Sequence, residues 1–164
     1  MIHFVALFAI FGAKYLFVAS FIIAGIYFLK ADRDLKKKIM VFSAITFPSI
    51  LLVASLAGQV YENPRPFVVE QFTPLIPHTA DNGFPSDHVL LVSAIAAVFS
   101  FFNRRLGVEL WFIASLVAFS RVYVGVHHPV DVLGSMLISI FVTFIVYATI
   151  KKKFPFFFNN KKQN

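Results

Sequence analysis

Long apolar runs constrain this chain more than any other feature. Five can be read, at about Phe4–Leu29, Ile39–Leu56, Val89–Phe102, Leu106–Ser120 and Val130–Ile150. A helix crosses the hydrocarbon core of a bilayer with about 20 apolar residues. Apolar types make up 59% of the 164 residues and charged types only 14%, and the mean hydropathy is +0.78. Such a composition excludes a disordered chain and argues against an ordinary soluble globule. The expected fold is an all-α polytopic membrane bundle of about five transmembrane helices, forming one integral-membrane domain over residues 1–164. The first run lacks a basic start and is too long for a signal-peptide core. With no cysteine, neither a disulfide framework nor a thiolate metal site can form.

The basic residues are unevenly placed. The net charge is +7, which in a soluble protein would suggest nucleic acid. Here all but three of the 15 Lys and Arg residues fall in loops on one side of five alternating helices: Lys30, Arg33, Lys36, Lys37, Lys38, Arg104, Arg105, Lys151, Lys152, Lys153, Lys161 and Lys162. The opposite side has Arg65 and Arg121, and Lys14 lies within the first run. The positive-inside rule then places the N-terminus outside and the C-terminus in the cytoplasm. Membrane lipid, not nucleic acid, is the expected partner, with the basic tail near anionic head groups.

The third and fourth runs, about 14 and 15 residues, cover only roughly 21–23 Å at 1.5 Å per residue. Polar residues at their outer ends must extend them, so Ser86–His88 should start the third helix and Arg121–Val124 should finish the fourth. A site built there sits at the outer interface, within reach of a lipid head group.

Three outward segments carry the chemistry. In Asn63-Pro64-Arg65-Pro66-Phe67, two prolines restrict the backbone around an arginine. In Gly83-Phe84-Pro85-Ser86-Asp87-His88, Pro, Ser and Asp form a helix start. Such a start suits a phosphate, and His88 could protonate a leaving oxygen. In the third, Ser120-Arg121 is followed by five residues, His127, three residues and Asp131. Residues four apart can meet on a helical turn, so Asp131 can hold one imidazole nitrogen and leave the other as a lone pair. His127 then becomes a nucleophile. Arg65 and Arg121 would clamp phosphate oxygens. Asp87 and Asp131 are the only acids in the set, and no carboxylate cluster suits a metal. The expected chemistry is metal-independent and cofactor-free, through a phosphohistidine.

With these motifs the chain resembles the type 2 phosphatidic acid phosphatase superfamily, integral-membrane lipid phosphatases that share a helical core with vanadium haloperoxidases. Arg65-Pro66 is similar to the end of its first motif, Pro85-Ser86-Asp87-His88 to its second, and Ser120-Arg121…His127…Asp131 to its third, over roughly residues 40–150. The wording of all three motifs resembles the bacitracin-resistance branch, undecaprenyl-diphosphate phosphatases that act on the outer face of the plasma membrane. The resemblance implies His127 as nucleophile, Asp131 as its orienting carboxylate and His88 as general acid, then base. Arg65, Arg121 and Ser86 would hold the phosphate of a polyprenyl diphosphate, with Asp87 grouped beside them. It implies hydrolysis of undecaprenyl diphosphate to undecaprenyl phosphate and phosphate, returning the lipid carrier to peptidoglycan assembly. One position departs: Gly58 stands where the family has a lysine, and Lys14 is a candidate extra cation.

His128, His78 and His3 are read as entrance or packing residues. Glu62, Glu70 and Asp81 are read as solvated, and Gly134, Ser135 and Ser139 as close helix packing. Alternatives are the same reaction on phosphatidic acid, phosphatidylglycerol phosphate or another polyprenyl diphosphate, a small transporter, or an inactive lipid-binding protein.

Overall fold

The computed structural model describes residues 2–158; Lys161 and Lys162 lie outside them. Six helices follow in order: α1 (Ile2–Lys30), α2 (Arg33–Val60), α3 (Pro66–Val69), α4 (Asp87–Ser100), α5 (Arg104–Tyr123) and α6 (Pro129–Lys153). Among the described residues the only extended pairing is an isolated bridge between Pro64 and Asn82.

The helix ends follow local chemistry. Asp32 caps α2 by accepting from Leu35 N at 2.8 Å, and Asn103 caps α5 by accepting from Leu106 N at 3.0 Å. Such side-chain caps satisfy amides that have no partner within the helix. As expected, the third span starts at Ser86–Asp87 and the fourth runs through Arg121 to Tyr123.

α1, α2, α5 and α6 are each long and apolar enough to cross a membrane. Their outer faces carry Phe4, Leu7, Phe11, Leu51, Leu52, Phe112, Phe141 and Ile145, all exposed. So much exposed apolar surface suits lipid rather than water. α4 is the exception, with every residue from Val89 to Phe99 except Leu91 buried. It is the hub of the bundle, packed against α1, α2, α5 and α6. Being sheathed in protein, α4 need not span a bilayer by itself.

Ring contacts fix the depth of α4. Tyr27 of α1 meets Phe99 at 5.9 Å, and Phe17 meets His88 at 5.3 Å. α1 and α4 therefore run parallel, and the 15 residues of α1 before Phe17 continue roughly 22 Å beyond the start of α4 at 1.5 Å per residue. The segment 61–86 fills that space. At the other end, Phe42, Phe99, Leu106, Leu110 and Ile150 form a closed apolar cluster with Phe101, Phe102 and Phe158 packed on it. The basic segments at residues 30–38, 104–105 and 151–153 all border this cluster, so they share one end of the bundle.

Candidate active site

The polar cluster lies at the end opposite the basic loops and begins with a buried carboxylate. Asp131 is the third residue of α6, fully buried, and closes a capping box with His128. Its Oδ2 accepts from the His128 amide at 2.8 Å, and its Oδ1 accepts from Asn63 Nδ2 at 2.7 Å. His127 lies before the helix rather than on its first turn. The capping box, not helical continuation, turns the carboxylate back toward it.

His127 Nδ1 lies 3.0 Å from the Gly83 carbonyl oxygen and 3.3 Å from Asp131 Oδ2. Both are acceptors only, so Nδ1 carries the hydrogen and donates to them. His127 Nε2 faces donors: Arg65 Nη1 at 3.2 Å and Arg121 Nη2 at 3.3 Å. The lone pair therefore sits on Nε2, between two guanidiniums. Burial pushes the His127 pKa below the usual histidine value; Arg121 and Arg65 push the same way, against the Asp131 hydrogen bond. The neutral imidazole is the favoured form.

Both arginines are buried and tied in place. Arg65, extended before Pro66, donates Nε to Asp81 Oδ1 at 2.6 Å and Nη1 to the Val126 carbonyl at 2.9 Å. That carbonyl is presented by a turn at Gly125, whose φ of +82° suits glycine and whose missing Cβ leaves room for Phe72. Arg121 donates Nη1 to the Ala13 carbonyl of α1 at 3.4 Å and Nη2 to His78 Nε2 at 2.9 Å. Its Nε is buried without a partner, which leaves a cationic donor unused.

At the start of α4, Ser86 is the N-cap residue but makes no side-chain cap bond. Its hydroxyl is buried and unpartnered. His88 is half-buried, edge-on to Phe17, within electrostatic reach of Arg121, Asp87, His127 and His78. Asp87 is exposed at the first position of α4. An open cavity of about 450 Å³ adjoins His127 between Pro66, Phe72, Tyr123 and His128.

The structure thus brings together Arg65, Arg121, His127, Asp131 and, at their margin, Ser86 and His88. Asp87 lies beside them on the surface. Lys14 does not join. Its turn is level with the site, because the preceding Ala13 carbonyl bonds Arg121. Its side chain, however, is exposed on the outside of α1, and no acid lies within ion-pair distance of it among the described residues. At Gly58 a Cβ would lie 3.0 Å from the Phe84 carbonyl oxygen, so a side chain there would require the loop to shift. The same glycine's carbonyl accepts from Asn82 at 2.9 Å.

Four partners escaped the sequence reading. His78, expected to line the entrance or pack, instead bonds Arg121, and its ring lies 6.1 Å from that of His127. Asp81, expected to be solvated, is exposed yet holds Arg65. Burial raises its pKa, but hydrogen bonds from Arg65 and Thr79 outweigh this and leave it below the ordinary carboxylate value. Asn63 and the Gly83 carbonyl complete the set. Asn82 knots this segment together, bonding Gly58, Tyr61, Asn63 and Phe84. His128 packs as expected, its Nε2 donating to the Pro64 carbonyl at 3.1 Å. Ser135 and Ser139 join α6 to α4 through the Ser86 and Leu90 carbonyls. Gly134, in contrast, makes room for Phe84 of the loop.

Residues 38–155 match the PAP2 superfamily. The chain is 38% identical over 138 residues to undecaprenyl-diphosphatase BcrC of Bacillus subtilis (strain 168), covering 84% of this chain and 71% of that protein. It is 31% identical over 139 residues to the bacitracin transport permease protein BcrC of Bacillus licheniformis, covering 83% and 68%. The crystal structure of Aquifex aeolicus LpxE is similar with a TM-score of 0.52 at 26% identity, over 86% of this chain and 81% of that one. Helical architecture, membrane-crossing helices and sequence agree: this chain, a multi-pass membrane enzyme, belongs to the PAP2 superfamily.

Proposed function

We propose that this protein, as a single integral-membrane domain, hydrolyses undecaprenyl diphosphate to undecaprenyl phosphate and inorganic phosphate through a phosphohistidine at His127. The observation that carries the reading is the Nε2 lone pair aimed between two buried guanidiniums, with Nδ1–H locked by Gly83 and Asp131. In the first step Nε2 attacks the terminal phosphorus, and the bond to the bridging oxygen breaks. His88 donates a proton to the departing lipid phosphate. Arg65, Arg121 and the Ser86 hydroxyl take the non-bridging oxygens, where charge is spread in the transition state. Asp131 stabilises the imidazolium that forms. In the second step water attacks the phosphorus, His88 accepts its proton, and the P–N bond breaks.

Two guanidiniums supply the positive charge that a metal would otherwise bring, so the proposed reaction needs none. The bias of basic residues toward the opposite end supports a site on the outer side of the plasma membrane, with the N-terminus outside. Such a position would return the lipid carrier to peptidoglycan assembly. The Bacillus subtilis relative, an undecaprenyl-diphosphatase, supports this substrate. A transport role, as the Bacillus licheniformis relative is described, would call for ionisable groups along a path through the bundle. Among the described residues, the buried ionisable groups Arg65, Arg121, His127 and Asp131 gather at one end.

The test is phosphate release by purified protein from undecaprenyl diphosphate, phosphatidic acid and phosphatidylglycerol phosphate, with His127→Ala alongside. Undecaprenyl diphosphate should give the highest kcat/KM, and His127→Ala should give none. Faster release from a monophosphate lipid would move the assignment to that substrate. Undiminished release by His127→Ala would overturn the mechanism.

A further inference from the structure

His78 is a third histidine in the cluster, outside the three motifs. Its Nδ1 lies 3.3 Å from the Thr79 carbonyl, an acceptor, so Nδ1 carries the hydrogen. Its Nε2 accepts from Arg121 Nη2 at 2.9 Å. The same nitrogen of Arg121 faces His127 Nε2. His78 therefore takes a hydrogen bond from the guanidinium on the side where the nucleophile lies. The unpartnered Arg121 Nε is a second sign that this arginine is set to hold an anion.

The loop bearing His78 is held at both ends. Ile76 packs on Ala9, Ala13, Val124 and Val126, and Asp81 grips Arg65. The imidazole between them is only partly buried, so it can exchange protons with water. The groups facing it are Arg121 from α5, Arg65 from the segment before α3, Asp81 from its own loop, His127 from the α5–α6 turn and His88 from α4. Burial lowers its pKa, and Arg65 and Arg121 lower it further. In the free protein it is thus the neutral acceptor that its hydrogen bonds require.

We infer that His78 is a further phosphate-contacting residue: when a phosphate enters between the arginines, His78 takes up a proton from solvent and turns from acceptor for Arg121 into donor to a non-bridging oxygen. Phosphate binding is then linked to proton uptake. The anion's charge offsets the two guanidiniums and raises the His78 pKa, so over the interval between free and bound values affinity improves as pH falls. The inference rests on the phosphate site proposed above.

Orthovanadate binding to the full chain in detergent, measured by calorimetry in buffers of different ionisation enthalpy, counts the protons taken up. Wild-type protein should take up more than His78→Gln, by up to about one proton per site. Its affinity should change more steeply with pH, by up to about tenfold per unit within the window. His78→Ala should behave as His78→Gln does, and thermal unfolding checks that both variants remain folded. Equal proton uptake in all three proteins, with binding retained, would overturn the His78 assignment and leave the phosphate site standing. Absence of binding in the wild type as well would remove the phosphate site itself.

Discussion

The hydrogen bonds around Asp131 allow a swap that separates geometry from charge. Three donors converge on its two oxygens: Asn63 Nδ2 at 2.7 Å, the His128 amide at 2.8 Å and His127 Nδ1 at 3.3 Å. Asp131→Asn leaves one oxygen for three donors. If the amide NH₂ faces His127, it opposes both Nδ1–H and the His128 amide, and the Gly83 carbonyl at 3.0 Å is left to hold the tautomer. If the NH₂ faces Asn63, two amide groups oppose each other until Asn63 flips. Hydrogen bonds to charged groups contribute about 1.5–3 kcal/mol each, and a buried unsatisfied donor costs about 1–3 kcal/mol. One such loss is about one to two decades in rate at about 1.4 kcal/mol per decade. The Asp131 hydrogen bond to Nδ1 and the charge that supports the imidazolium are lost together, so kcat/KM should fall about 10³-fold. The double variant Asn63→Asp/Asp131→Asn restores the pattern. The new carboxylate at position 63 accepts from the amide at 131, whose oxygen then faces His127 and His128. The hydrogen bond to Nδ1 returns but the adjacent charge does not, so about tenfold of the loss should be recovered. Asn63→Asp alone sets two carboxylates against each other in a buried space and should be impaired. Steady-state phosphate release from undecaprenyl diphosphate, with thermal unfolding of each variant, measures all four corners. A double variant no better than Asp131→Asn, at equal stability, would refute the reasoning.

Three further expectations can be checked readily. Gly134→Ala places a Cβ against the Phe84 ring, within 2.7 Å of its Cζ; overpacking costs about 1–3 kcal/mol, and the displaced loop carries the Gly83 carbonyl, so both melting temperature and kcat should fall. The lowered His127 pKa keeps its lone pair as pH drops through the ordinary histidine value of about 6.5; the acid limb of a kcat/KM profile should therefore lie below 6.5, and a limb above it would contradict the neutral-nucleophile reading. EDTA should leave turnover intact in metal-free buffer, whereas loss reversed by magnesium would contradict the guanidinium-based mechanism.

Helices and motif side chains were legible in this sequence because each leaves a local mark. Apolar runs marked the spans, and the polar ends at Ser86 and Arg121 showed where two short ones had to continue. The short third span, however, concealed the hub role of α4, since an apolar run reads alike whether lipid or protein surrounds it. The spacing from Arg121 through His127 to Asp131 survives as geometry even though His127 lies outside the helix. Segment 61–86 was different. Its contacts join residues 16 to 68 positions apart, as in Arg65–Asp81 and Asn63–Asp131, and no periodicity announces them. The His127 Nδ1 acceptor at 3.0 Å is a backbone carbonyl, which carries no residue identity for a sequence to show. His78 lies in that same unpatterned segment.

Depth connects the fold to the chemistry. A lipid phosphatase must bring water, a phosphate and an apolar tail to one place. A site above the membrane would lose the tail, and one at mid-bilayer would lose the water. α4 is 14 residues long, roughly 21 Å at 1.5 Å per residue, less than the roughly 30 Å hydrocarbon core. One end of it lies within the apolar cluster bordered by the basic segments. The other end, with Ser86 and His88, therefore stops short of the level that α1 reaches. The loop bearing Arg65, His78 and Gly83 descends into that recess and brings backbone carbonyls, imidazoles and guanidiniums with it. Irregular backbone at such depth is tolerable only where protein satisfies it. The Asn82 knot and the Asp131 capping box perform that task here, while the same groups fix His127. Lengthening α4 by a turn before Ser86 would fill the recess that its short length leaves for this loop.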